Sequence, residues 1–198
     1  MVEPRDTPGD EAPTQADDPV TVKAYERIQA ELPGVEVFAR TTGAHPFLGV
    51  PAGDLRAVCR LLRDDPALRY DCCHLISAVD WPEPDEGEPH IDVIYHLVSY
   101  VIRPEPGYAQ RAEKNDPFLA LAVRVPRDAP EVPTVMDIWI GADWHERETF
   151  DLMGVRFTGR AELPRILLPD DWPGHPLRKD WAFPASYHGV PIIPPEGL

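Results

Sequence analysis

The sequence predicts an α+β domain with a mixed or mostly antiparallel sheet, helices on one face of that sheet, and a proline-rich irregular C-terminal arm. Segments with helical spacing of apolar residues occur between segments that alternate apolar and polar residues, as in α+β domains. Proline accounts for 25 of the 198 residues. This is well over twice the usual ~5% and disfavours a helix bundle. A chain of this length can also bury a sizeable core without disulfides or metal.

Composition divides the chain into three parts. Residues 1–18 form an acidic tail without periodicity, which we expect to be disordered. Residues 19–160 form the α+β domain, and residues 161–198 form an extended arm. The arm has too many prolines for a helix, but it carries aromatic and branched residues that disordered tails lack. We therefore expect the arm to dock on a partner polypeptide, and the alternative is a tail that packs back on its own domain.

We expect neither a targeting segment nor a membrane span. Residues 1–20 lack the apolar core of a leader. The longest apolar stretch, Val93 to Ile102, is far shorter than the ~20 residues that cross a bilayer. The net charge of −15 disfavours nucleic acid and anionic lipid as direct partners. Any membrane association should then be peripheral and should come through other proteins.

The first half of the domain alternates helices and strands. Apolar residues recur at helical spacing over 22–32 and again over 55–62, and proline follows each run. Residues 35–41 alternate as a strand with Val35, Val37 and Ala39 on one face, and residues 47–50 form a second short strand.

Three further strands are predicted at 70–79, 90–102 and 119–125. The strand at 90–102 has apolar residues at its odd positions and a mixture at its even ones, so one sheet face should be dry and the other partly wet. The stretches 80–92 and 108–118 are predicted to be polar loops. Residues 134–140 are predicted to be a short helix or turn.

The segment 143–180 has the highest density of charged and aromatic residues in the chain. Asp143 and Glu146 have the spacing of a capping box at the start of a helix, and Gly154 is a typical helix stop. Arg147 and Asp151 are four residues apart and share a helix face. Residues 146–180 include seven acidic and six basic residues, although the whole chain is strongly acidic. This balance indicates a fixed surface that is either packed on its own domain or docked on another protein.

Catalysis has weak support in the sequence. Glu146, Glu148 and Asp151 are close enough for acid–base work, but neighbouring bases favour ion pairing over the perturbed pKa values of a catalytic pair. His145 and Glu146 begin a zinc-protease pattern whose second histidine would fall at Thr149, so that motif is absent.

Two candidate metal or cluster sites are also weak. Asp170, Asp171 and His175 could hold a divalent cation, but we prefer to interpret them as part of a rigid proline-rich turn in which the aspartates accept hydrogen bonds from the backbone. Cys59, Cys72 and Cys73 form no C-x-x-C pair and no cluster quartet, and we interpret them as buried thiols.

Two motifs carry a resemblance to a known family. Glu-Arg-Glu-x-x-Asp-Leu-Met-Gly at 146–154 and Leu-Pro-Asp-Asp-Trp-x-Gly-His-Pro-Leu-Arg-Lys-Asp at 168–180 are joined by Pro-x-Ile-Leu at 164–167. Together they resemble the C subunit of respiratory NADH-quinone oxidoreductase, complex I, and weaker similarity extends over about residues 20–181. One position departs from the family pattern, which favours His or Lys where this chain has Arg160.

The resemblance implies a structural subunit of the peripheral arm, without an active site of its own, that supports electron transfer from NADH to quinone. It implies docking on the large quinone-site subunit, at the cytoplasmic side of the cell membrane. FMN, iron–sulfur clusters and quinone are then expected in other subunits, and no cofactor or metal in this chain. Two alternatives remain: the equivalent subunit of a related membrane-bound hydrogenase, and a stand-alone metal-dependent hydrolase. The predicted partner interface comprises Glu146, Arg147, Glu148, Asp151, Arg165, Trp172, His175, Leu177, Arg178, Lys179 and Asp180.

Overall fold

A computed structural model describes residues 18–40, 46–85, 87–100 and 118–192. The predicted disorder of the N-terminal tail, most of the predicted loop at 108–118, the end of the predicted strand at 90–102 and the last six residues of the arm lie outside these ranges. The core contains a five-stranded sheet and three helices.

The sheet is mixed and mostly antiparallel, as predicted. Its strands, in chain order, are β1 (Phe38–Arg40), β2 (Phe47–Gly49), β3 (Cys72–Trp81), β4 (His90–Val98) and β5 (Phe118–Pro126). In space their order is β1-β2-β5-β4-β3. Only the β2–β5 pair is parallel, and the long central strand β4 pairs antiparallel with both β3 and β5.

The three helices cover one face of this sheet. They are α1 (Pro19–Glu31), α2 (Leu55–Asp64) and α3 (Ala142–Met153). Alternate residues of β4, Ile91, Val93, Tyr95 and Leu97, are completely buried in the same apolar cluster as the inner faces of the helices. Ile94 and His96 point to the other side and are only half-buried. The predicted contrast between the two sheet faces is therefore confirmed.

Local sequence signals explain where the helices begin and end. The Asp18 carboxylate accepts a hydrogen bond from the Thr21 N–H at 2.7 Å, and Pro19 occupies the first turn of α1, where no backbone donor is needed. Gly154 ends α3 with φ at +74°, as its sequence position predicted.

The predicted capping box of α3 is wrong. Gly141 is the N-cap and makes no side-chain cap, while Asp143 lies inside the first turn. The side chain of Glu146 points into the protein instead of back to the helix start, because buried hydrogen-bond partners from elsewhere in the chain surround it there.

Several short elements were not predicted. β6 (Glu131–Pro133) and β7 (Arg156–Thr158) pair in parallel and flank α3 in the chain. β8 (Ser186–Tyr187) and β9 (Val190–Pro191) form a small hairpin within the arm, which is therefore not extended over this stretch. β4 begins at His90 as predicted, but β3 continues to Trp81, two residues beyond its predicted end and into the stretch predicted to be a polar loop.

Candidate partner-docking surface

Asp151 fixes the start of the arm to the end of α3. Its side chain is fully buried, and one oxygen accepts hydrogen bonds from three consecutive backbone N–H groups, at 3.1, 2.8 and 2.9 Å, on Ile166, Leu167 and Leu168. The other oxygen accepts from Nη1 of Arg165 at 2.8 Å. Burial alone would raise the pKa of Asp151, but these bonds together lower it, so the carboxylate stays ionised.

Glu146 occupies a second buried carboxylate site on α3. It accepts hydrogen bonds from the Thr134 hydroxyl at 2.6 Å and the Val135 N–H at 2.7 Å. Arg160 reaches it at 2.9 Å and reaches Asp143 at 2.6 Å, so one guanidinium joins two carboxylates. Burial raises the pKa of Glu146 despite these bonds. The planar fork of arginine suits this double contact, which gives a structural use for Arg160 at the position that departs from the family pattern.

Asp80 fixes the later part of the arm to the end of β3. The Arg127 guanidinium binds its carboxylate at 2.7 Å, and the Lys179 backbone N–H donates to it at 2.9 Å. Arg127 also pairs with Asp180 at 2.6 Å. Burial opposes ionisation of Asp80, but these partners lower its pKa overall. An acid from a stretch that was predicted to be a solvated loop is therefore part of the internal support of the arm.

Backbone contacts complete the attachment between α3 and the arm. Leu177 donates its N–H to the Leu152 carbonyl at 3.0 Å, and Arg178 donates from Nε to the Met153 carbonyl at 2.8 Å. Nδ1 of His175 donates to the Asp151 carbonyl at 2.9 Å. Burial lowers the pKa of His175, which favours the neutral ring.

Close approach explains the glycine at the end of α3. A Cβ on Gly154 would lie 2.5 Å from the His175 ring and 3.1 Å from the Arg178 guanidinium. The arm can pack against this turn only because position 154 has no side chain.

The far end of the arm is held by aromatic rings. Trp172 stacks on Trp181 at 6.4 Å between centroids and contacts Tyr187 at 5.0 Å. Trp181 meets Phe183 edge-on at 4.8 Å. The Tyr187 hydroxyl donates to Asp171 at 2.6 Å. The β8–β9 hairpin is thereby folded back on the preceding turns, and aromatic pairs of this geometry contribute about 0.5–1.5 kcal/mol each.

The structure separates the residues predicted for the partner interface into two groups. Glu146 and Asp151 are fully buried within this chain, where their carboxylates bind internal partners. Arg165, Trp172, His175 and Arg178 are half-buried and mainly contact this chain. Arg147 is half-buried, whereas Glu148, Leu177, Lys179 and Asp180 are exposed. An interface at this surface therefore consists mainly of exposed residues on a support that the buried residues hold in place.

Two exposed residues were missed by sequence reasoning. Ile140 is 89% exposed in the turn before α3, and Trp144 is 59% exposed in its first turn. Both were assigned to local structure only, since nothing in the helical pattern shows which face an isolated tryptophan occupies. Ile140 and Trp144 are four residues apart, and Arg147 follows three residues later. This spacing was the signal in the sequence that the three side chains share one surface.

The predicted catalytic and metal-binding alternatives have little geometric support. Asp171 is engaged by Tyr187 and by Nε2 of His188 at 2.8 Å, and His175 by a backbone carbonyl. In the ranges that the structure describes, no three His, Cys, Asp or Glu side chains are gathered as ligands for a metal ion. Thr149, where a zinc-protease histidine would fall, donates to the Ile76 carbonyl of β3. Among these same residues, none of the helices has the length and apolar character of a membrane span.

The fold and the surface define a class of protein: an α+β module whose buried charges fix an irregular arm to its last helix and to its sheet. Residues 48–187 match the family described as respiratory-chain NADH dehydrogenase, 30 kDa subunit. The chain belongs to this family of complex I subunits, and the resemblance seen in the sequence is confirmed.

Relatives and a solved structure agree with this assignment. The C subunit of NADH-quinone oxidoreductase from Nocardioides sp. is 38% identical over 72% of this chain and 52% of that protein. The protein of the same name from Roseiflexus castenholzii is 40% identical over 78% of this chain and 79% of that protein. A chain of the archaeal membrane-bound sulfane sulfur reductase, a respiratory membrane complex, superimposes with a TM-score of 0.58 and 27% identity over 82% of this chain and 86% of that chain. The match spans about half the length of the actinobacterial relative and most of the length of the other two.

Proposed function

We propose that this chain is a non-catalytic structural subunit in the peripheral arm of a proton-translocating NADH-quinone oxidoreductase. It docks on the large subunit that helps form the quinone cavity, at the cytoplasmic side of the membrane. It supports electron transfer from NADH to quinone by holding that subunit in place, while FMN, iron–sulfur clusters and quinone are bound by other subunits. Membership of the complex I family supports the assembly, and the geometry of the arm supports the docking role.

The observation that carries this proposal is a set of fixed cations beside exposed apolar groups. Arg147 and Arg178 donate to backbone carbonyls, and Lys179 lies 5.2 Å from the Trp81 ring centroid. None of the three forms an ion pair within the described ranges, although the chain has 34 acids and 19 Lys and Arg residues. Leu177, next to Arg178 in the chain, is 59% exposed. Positioned cations and an exposed leucine suit a partner that offers carboxylates and an apolar pocket.

Assembly in the native membrane tests this role. Leu177→Asp places a charge in the proposed contact without removing an internal hydrogen bond, since only the backbone of Leu177 bonds to α3. We expect a loss of assembled complex on native gels, with unchanged electron transfer for each complex that does assemble. Arg156→Gln is the matched control, because it changes an exposed arginine that pairs with Glu131 on another part of the domain. Full assembly of Leu177→Asp together with slow turnover would contradict a purely structural role.

The similarity to the sulfane sulfur reductase favours a second candidate, a subunit at the same position in a related membrane-bound respiratory complex. The two candidates differ in the electron donor of the assembly. Affinity purification of the chain from its native membrane separates them, because only an NADH-quinone oxidoreductase brings an NADH-oxidising subunit with FMN. The higher identity to the C subunits of NADH-quinone oxidoreductases, at 38–40%, favours the first candidate.

A further inference from the structure

A second exposed surface lies at the start of α3, at the opposite end of that helix from Gly154. It comprises Ile140, Trp144 and Arg147, and we refer to it as the α3 entry surface. Large apolar side chains that are this exposed are uncommon when they occur together, and they are typical of sites where another molecule binds. The proposed contact around Leu177 lies near the carboxyl end of α3 and shares only Arg147 with this surface.

The α3 entry surface is held in one conformation. The Arg147 guanidinium lies over the Trp144 ring, 5.0 Å from its centroid. The same guanidinium donates to the carbonyls of Pro164 and Arg165 at 3.2 and 3.3 Å, so the arm backbone fixes the arginine and the arginine supports the indole. A partner would therefore bind side chains that are already ordered, which lowers the entropy lost on binding. Tryptophan and arginine are also the residues that most often dominate binding energies.

The charges near this surface balance, although the whole chain is strongly acidic. Arg56 and Arg60 share the single carboxylate of Asp137 at 2.7 and 3.0 Å. Arg63 pairs with Asp64 and also donates to the Ile138 carbonyl, two residues before Ile140. Arg160 pairs with Asp143, between Ile140 and Trp144, and with Glu146. With Arg147 and Glu148, five arginines are set against five acids, and Arg147 is an arginine that forms no ion pair within the described ranges.

We propose that the α3 entry surface binds a segment of another polypeptide in the assembly that presents apolar side chains flanked by carboxylates. The apolar side chains cover Ile140 and Trp144, and a carboxylate faces Arg147. This contact goes beyond the docking role proposed above, because Ile140 and Trp144 take no part in that role and only Arg147 is shared with it.

Two other occupants fit less well. A second copy of this chain would bring the same surface against itself, as symmetric dimers do, and would place like-charged arginines together. The acidic tail at residues 1–17 supplies carboxylates, but it contains no Leu, Ile, Phe, Trp or Tyr to cover the apolar groups. Both are therefore outcomes that would count against the proposal.

Footprinting and cross-linking of the intact complex test the proposal. Hydroxyl radicals should oxidise Trp144 about tenfold more slowly in the assembly than in the isolated full-length chain, since a residue at the centre of an interface is desolvated. Arg147→Lys places an amine near the same position, and a zero-length carbodiimide then joins it to a facing carboxylate. We expect mass spectrometry to find that carboxylate on another polypeptide of the assembly, close to apolar residues.

The outcomes separate this proposal from the docking role. Equal oxidation of Trp144 in the free chain and the assembly overturns it, as does a cross-link to residues 1–17 or to a second copy. Trp144→Ala and Ile140→Ser should weaken retention of the cross-linked partner while the large quinone-site subunit stays bound. Leu177→Asp should instead weaken retention of the large quinone-site subunit while the cross-linked partner stays bound. If Leu177→Asp changes nothing while Trp144 is protected, the docking role fails and the α3 entry surface stands.

Discussion

Removal of the Asp151 carboxylate tests the internal support of the arm. Asp151→Ala deletes four hydrogen bonds at once, three from the backbone N–H groups of residues 166–168 and one from Arg165. It also leaves the Arg165 guanidinium, which is 14% exposed, without its carboxylate. Loss of one partner of a buried ion pair costs about 3–5 kcal/mol. We expect the docked arm to lose about this much free energy relative to an arm that has separated from α3.

Hydrogen exchange measures this loss directly. The N–H groups of Ile166, Leu167 and Leu168 should exchange about two to four orders of magnitude faster in Asp151→Ala than in the wild type, because each 1.4 kcal/mol is a factor of ten. Asp151→Asn keeps the size of the side chain but loses its charge, and should cost about 1–3 kcal/mol.

Glu148→Ala is the matched control for Asp151→Ala. Glu148 is an exposed acid on the same helix, and its removal should leave exchange within about 0.5 kcal/mol of the wild type. If Asp151→Ala leaves the three N–H groups as protected as in the wild type, the carboxylate does not hold the arm, and its role as the internal support is refuted.

Three further predictions concern stability. Gly154→Ala should lower the free energy of unfolding by at least about 1–2 kcal/mol in urea, because of the positive φ and the nearby His175 ring, whereas Gly53→Ala, with open space around it, should not. Tyr95→Phe should leave that free energy unchanged or raise it by up to about 1 kcal/mol, since the buried hydroxyl has no hydrogen-bond partner in the described structure. Because the pKa of His175 is lowered by folding, its contribution is present above pH 6.5 and is lost as pH falls below that value; His175→Gln should flatten this part of a stability–pH profile.

Periodicity identified most of the fold from the sequence. The three helices and the five strands of the main sheet were predicted within a few residues of their observed bounds. α1, α2 and the strands were predicted from the spacing of their apolar residues, and α3 from its charged start and its glycine stop. β6 and β7 were missed, since neither three-residue strand lies in a run of alternating apolar and polar residues as long as the one around β1. The β8–β9 hairpin was missed because proline content indicated an extended arm. The local signal available was the His-Gly pair at 188–189, which forms the turn of the hairpin with positive φ at both residues.

The environment of the charged residues was predicted least well. Asp80 lies in a stretch whose composition indicates solvent, yet its partners Arg127 and Lys179 are 47 and 99 residues away in the chain. Glu146 has the spacing of a capping box, but its carboxylate binds Arg160 and Thr134, which follow β7 and β6, instead of the backbone at the start of α3. The partners of Asp80 are remote in the chain, and those of Glu146 lie 12 and 14 residues away, beyond the helix to which it belongs.

The sequence by itself determined the elements, the buried face of the sheet and the family, because apolar periodicity and closely spaced motifs are local properties of the chain. Only the tertiary structure decided which of the charged residues between 146 and 180 support the surface and which are presented on it. The physical reason is that a carboxylate can be buried only where enough donors converge on it. Those donors come from segments that the fold brings together.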